Sequence, residues 1–143
     1  MDVQGTSAIV TGGASGLGAG TARALAAAGV KVAIFDMNMD SANEVAAEIG
    51  GMAIECDVSD ASSTVAAVSA AREAQGVAAI CVNCAGIGTA HRIVGREGPV
   101  DLEIYAKVIN VNLIGTFNVL RLAAANMAER VPNDDGERGI IIN

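Results

Sequence analysis

The sequence predicts an α/β fold, a doubly wound parallel sheet with helices on both faces. Three observations predict it. Short apolar runs alternate with longer amphipathic segments along all 143 residues, the pattern of successive βαβ units. The short runs, such as "KVAIF" and "AAICVN", are continuously apolar, as strands buried on both faces are. Glycine clusters punctuate the boundaries, 17 glycines in all.

Each element follows in order. Ser7–Thr11, "SAIVT", reads as the first strand. A Gly-rich turn leads into an Ala-rich helix from Gly18 to Ala28, stopped by Gly29. Lys31–Phe35 is the second strand. Asp40 or Ser41 caps a helix to Ile49, ended by Gly50-Gly51. Met52–Cys56 is the third strand, and Asp60 or Ser62 starts a helix to about Ala74. Ala78–Asn83 is the fourth strand. A Gly-punctuated loop runs from Ala85 to Pro99, and Asp101 caps a long helix to about Arg130. The polar stretch "VPNDDGERG" is a loop, and "IIIN" (Ile140–Asn143) is the fifth strand. Residues 1–143 read as one domain, with no linker or repeat.

Hydrophobic residues are 52% and charged residues 17%, a globular balance. Aromatics are 2%, so Ala, Val, Ile, Leu and Met must build the core. The net charge of −7 disfavours nucleic acid and anionic membrane as partners. No apolar run reaches the roughly 18 residues of a membrane span. "MDVQGT" is no secretory signal, so the expected location is cytoplasmic and the three cysteines are expected to be reduced.

Cys81 and Cys84 form a C-x-x-C. A redox pair needs its first Cys at a helix N-terminus, where the thiolate is stabilised. Cys81 lies inside a strand run instead. A zinc site would have to recruit Cys56 and His91. Buried small hydrophobes are the preferred reading, with no metal.

The chemistry-bearing stretch is "TGGASGLG", Thr11 to Gly18. It joins the first strand to the first helix, at the carboxyl ends of a parallel sheet, where ligands bind. Glycines let backbone approach a pyrophosphate, and a helix N-terminus offers it free N–H groups. A turn that merely packs helix against strand is the competing reading. No Lys follows, so this is no Walker A loop, and G-x-G-x-x-G does not fit. The spacing is T-G-x-x-x-G-x-G. Asp36 follows the second strand, placed to accept bonds from adenosine ribose hydroxyls and to repel a 2′-phosphate, which selects NAD over NADP. Alone, it reads equally well as a turn residue.

These residues resemble the short-chain dehydrogenase/reductase family. The resemblance rests on Thr11–Gly18, on Asp36, on Asp57-Val58, on "NCAG" (Asn83–Gly86) and on "NVNLIGTFNV" around Asn112. Cys84 departs from the family's second Asn. "NCAG", "INVNLIGTFNVLRLAA" and "PNDDGERGIIIN" are similar to one subgroup, the type II 3-hydroxyacyl-CoA dehydrogenases. The resemblance implies a Rossmann-type sheet with about five of the family's usual seven strands in this chain. It implies NAD as cofactor, a homotetramer, an acyl-CoA or other small alcohol or ketone as substrate, and interconversion of 3-hydroxyacyl-CoA and 3-ketoacyl-CoA. By position, Gly12, Ser15, Gly16, Leu17 and Gly18 would hold the pyrophosphate side and Asp36 the ribose. Asp57 and Val58 would flank the adenine. Asn83, Cys84, Ala85 and Gly86 would line the nicotinamide-ribose side, mostly through backbone. Asn112 matches the family's Asn that anchors a relay water; an Asn breaking a helix ladder is the competing reading.

Removal of a hydroxyl proton needs a base. The family uses a Tyr with a Lys four residues later, plus a Ser just after the fifth strand. Neither the Ser nor Y-x-x-x-K lies in residues 1–143. The single tyrosine, Tyr105, has Lys107 two residues on, which puts the pair on different sides of a helix. His91 reads as a loop residue. The expectation is therefore a cofactor-binding N-terminal part, inactive alone, with Asn143 not a natural terminus. The alternatives are a non-catalytic NAD-binding module and a dehydrogenase for another secondary alcohol or ketone, such as a hydroxysteroid or ketoacyl thioester.

Overall fold

The computed structural model describes residues 2–143. Along the chain run β1 (Ser7–Thr11), α1 (Gly16–Ala27), β2 (Lys31–Asp36), α2 (Met39–Ile49), β3 (Met52–Glu55), α3 (Ala61–Gln75) and β4 (Ile80–Asn83). A small antiparallel hairpin follows, β5 (Val94–Gly95) and β6 (Gly98–Pro99). Then come α4 (Leu102–Ile109), a π-helical turn (Asn110–Gly115), α5 (Thr116–Ala128) and β7 (Ile140–Ile142).

The main sheet is parallel, in the order β3-β2-β1-β4-β7. This is the Rossmann-like α/β arrangement that the alternating pattern predicts. Strand order reverses between β1 and β4, so their carboxyl ends border an open crevice. Thr11 at the end of β1 stands in register with Phe35 of β2 and Asn83 of β4.

Successive side chains of a strand point to opposite faces, so each strand feeds two cores. Val10, Val32 and Ile34 pack under α1 and α2 with Ala19, Ala22 and Val45. Ile9, Phe35 and Cys81 pack under α3 and α5 with Val68, Val119 and Ala123. The small Ala residues let helices sit close to the sheet in a chain so poor in aromatics.

Several boundaries differ from the sequence expectation. The α2 cap is Asn38, whose Oδ1 accepts from Ser41 N at 3.2 Å. Asp40 instead lies in the first turn, where a negative charge meets the positive helix end. Asp60, rather than Ser62, caps α3. The hairpin was expected as loop, because two-residue strands carry no periodicity. The expected single long helix is interrupted by the π turn. From Leu102 to Ala128 this helix, of mean hydropathy 1.4, is by length and composition alone long and apolar enough to cross a membrane. The expectation that no run reaches that length is corrected to this extent. Its inner face packs Val119, Ala123 and Met127 on the sheet.

Candidate functional site: the crevice between β1 and β4

The glycine turn is shaped by close backbone approaches. Gly12 has φ +64°. A Cβ there would lie 2.8 Å from the Cα and N of Ala85. The turn after β1 therefore touches the turn after β4, backbone to backbone. A Cβ on Gly18 would lie 2.1 Å from the carbonyl oxygen of Gly12. The first turn of α1 is thereby drawn onto the glycine turn.

Buried Thr11 locks the two turns together. Its Oγ1 accepts from Cys84 N and Ala85 N, both at 3.1 Å. The sequence reading used Thr11 only as a motif letter. Its signal was present: a hydroxyl on the last residue of an otherwise apolar strand.

The start of α1 is open. Ser15 makes no side-chain capping bond, and the first turn holds no acidic residue. By contrast, α2, α3 and α4 are capped by Asn38, Asp60 and Asp101. The free N–H groups of α1, with its positive dipole end, face the crevice.

Asp36 ends β2 and is already engaged. Oδ2 accepts from Ala14 N at 3.0 Å, and Oδ1 accepts from Asn38 N at 2.9 Å. The carboxylate therefore props the glycine turn as well as facing the crevice. Asp57 behaves alike, its Oδ1 accepting from Ser59 N at 2.9 Å and Ser59 Oγ at 2.6 Å.

These parts enclose a cleft of about 880 Å³, within the roughly 300–1,000 Å³ of small-molecule sites. Gly12, Ser15, Gly16, Leu17 and Gly18 form one wall, Asp36, Asp57 and Val58 the next, and Cys84, Ala85 and Gly86 a third. Asn83 and Asn112 are not on the walls. Asn83 Nδ2 donates to Asn143 Oδ1 at 2.8 Å, tying the ends of β4 and β7. The Asn112 amide clasps the backbone of Ile87: Oδ1 accepts from Ile87 N and Nδ2 donates to Ile87 O, both at 2.9 Å. It thus holds the loop after β4 in place.

A fourth wall comes from Glu103, Ala106, Lys107 and Asn110. Their spacing of three and four residues puts them on one helix face. The sequence reading missed this wall, although that spacing was its signal. Lys107 lies on the cleft and Tyr105 does not, so the two form no acid–base pair. His91 is exposed in the loop before the hairpin.

The cysteines divide by environment. Cys81 is fully buried in β4, and burial pushes its thiol up to about 12. Cys56 is raised in the same way. Such thiols are poor nucleophiles, whereas Cys84 reaches the cleft. Among the described residues no group of three or more His, Cys, Asp or Glu is placed to hold a metal.

A glycine turn, an acid ending β2 and a second tight turn meet at the switch point of this parallel sheet. The chain belongs to the short chain dehydrogenase family, whose family model matches residues 6–143. It is 42% identical to a 3-hydroxyacyl-CoA dehydrogenase type-2 of Drosophila melanogaster, over 94% of this chain and 54% of that protein. Against the Bos taurus protein of the same name it is 40% identical, over 99% of this chain and 56% of the relative. The crystal structure of a 3-hydroxyacyl-CoA dehydrogenase type-2 from Mycobacterium avium superposes with a TM-score of 0.87 at 40% identity, covering 96% of this chain and 54% of that one. The chain thus spans about half the length of the relatives it matches.

Proposed function

We propose that this chain supplies the NAD-binding part of an oxidoreductase that interconverts 3-hydroxyacyl-CoA and 3-ketoacyl-CoA. The observation that carries this reading is the cleft, whose walls gather the glycine turn, Asp36, Asp57-Val58 and the Cys84–Gly86 turn. The residues fit a dinucleotide. The uncapped start of α1 suits a pyrophosphate. Asp36 keeps lone pairs for a ribose hydroxyl beside its two backbone bonds. Val58 gives the adenine side an apolar surface, and Cys84 to Gly86 would flank the nicotinamide ribose. When bound, NAD supplies the hydride acceptor. The relatives' names favour the acyl-CoA substrate class.

The chain's own residues bind and orient. Asn112 holds the loop after β4, and Thr11 holds the turn that precedes it. No tyrosine lines the cleft among the described residues, so these residues supply no base for a hydroxyl proton. A homotetramer is the proposed assembly. The long helix supports it, leaving Leu102, Tyr105, Leu113 and Phe117 exposed on its outer side.

Fluorescence titration tests the reading. NADH is expected to bind at least about tenfold tighter than NADPH, since a charged 2′-phosphate would face a carboxylate. Asp36→Ala should weaken NADH and narrow that gap. Superimposable NADH and NADPH curves for the unsubstituted protein would refute it. The 143-residue chain on its own is expected to give no NAD reduction with 3-hydroxybutyryl-CoA, and measurable turnover would overturn the account of the missing base.

A further inference from the structure

We infer that Asn118 is a positioning residue for the adenosine end of the cleft, acting through the Val58 turn without lining the cleft itself. The inference rests on the dinucleotide reading above. Asn118 sits on α5, 6% exposed, in a helix face that is otherwise apolar. Its Nδ2 donates to Val58 O at 2.9 Å, Asp60 O at 3.2 Å and Thr64 Oγ1 at 2.9 Å. Its Oδ1 accepts from Arg121 Nε at 3.1 Å and Nη2 at 2.7 Å. Arg121 has no acceptor to offer, so it fixes which end of the amide faces the turn. Every hydrogen-bonding site of this buried amide is used, and the carbonyls it serves belong to the segment joining β3 to α3.

A second contact grips the same turn. A Cβ on Gly115 would lie 2.6 Å from Val58 Cγ2. The helix therefore meets Val58 on two sides, by its side chain at Gly115 and by its carbonyl at Asn118. Three residues before Gly115, Asn112 clasps Ile87. One helix segment thus fastens the loop after β4 and the turn after β3, and so sets the distance between two cleft walls. A buried Asn without such a task would be replaceable by Leu on this face; here the replacement would orphan two carbonyls.

The test uses AMP and NADH as probes. Asn118→Asp keeps the shape but has no N–H to donate. It is expected to weaken AMP and NADH by at least about tenfold, about 1.4 kcal/mol. Hydrogen exchange should quicken at residues 57–64 and stay unchanged at residues 12–18. Gly115→Ala, which keeps a helix-favouring residue, should push Val58 aside and weaken AMP similarly, and it decides the matter if Asn118→Asp does not fold. If the unsubstituted protein binds AMP and both folded variants bind it within twofold, the inference falls and the dinucleotide reading stands. Exchange quickened equally at residues 12–18 would make the effect general loosening and also overturn it. If the unsubstituted protein binds neither probe, both fall.

Discussion

Gly18→Ala tests the geometry of the glycine turn most directly. The added methyl would sit 2.1 Å from Gly12 O, 2.7 Å from Gly12 C and 3.0 Å from Gly13 Cα. Favourable carbon contacts lie at roughly 3.5–4.0 Å, and all three obstacles are backbone, which has no rotamer to change. The start of α1 must move by about 1 Å. Overpacking of this kind costs about 1–3 kcal/mol. Ala in a helix returns about 1 kcal/mol of that. The net loss is about 1–2 kcal/mol, or about 3–8 °C in Tm for a domain of this size. Gly20→Ala is the control: it sits in the same helix and nothing lies within 4 Å of its added Cβ. It should gain about 0.5–1 kcal/mol. Thermal denaturation by circular dichroism reads both, and NADH titration should show Gly18→Ala at least about tenfold weaker. A Gly18→Ala protein as stable as the Gly20→Ala protein would refute the close approach.

Two further outcomes are expected. The Asp60 carboxyl is held below the ordinary value of 3.8 by the Ser62 hydroxyl and the Ser63 N–H. A lowered folded-state pKa means that its stabilisation is complete above 3.8 and is lost as pH falls through the lower value. Asp60→Asn, which keeps a cap and does not titrate, should flatten that part of the acid-unfolding curve; an unchanged curve would refute the contribution. Iodoacetamide should label Cys84 well before Cys81 or Cys56, because Cys84 reaches the cleft while burial raises the other two thiols. NADH should slow that labelling, as peptide mass spectrometry would show; Cys81 labelled first would contradict the buried placement of β4.

The fold was legible because burial on both faces leaves a strong mark: "SAIVT", "KVAIF" and "AAICVN" have no other sensible place. The glycine turn was legible because close backbone approach excludes side chains, as Gly12 and Gly18 show. What stayed hidden depends on geometry rather than composition. Asn38, not Asp40, caps α2, since which polar side chain meets a free N–H is settled by local dihedral angles. Asn118 lies six residues after Asn112, yet only the folded chain shows that their amides hold opposite sides of one cleft. The π turn leaves no signature in apolar periodicity, and neither does the two-residue hairpin.

The π turn also fixes how the helix can change over time. Its wider turn accommodates an extra residue relative to α-helix. Deleting one residue between Asn110 and Gly115 would restore regular winding and swing everything after it by about 100°. Val119, Ala123 and Met127 would leave the sheet, and Asn118 would face away from Val58. An insertion would rotate them the other way. The loops on either side of this helix can vary in length freely; the segment between Asn112 and Asn118 can accept substitutions but not a change in length.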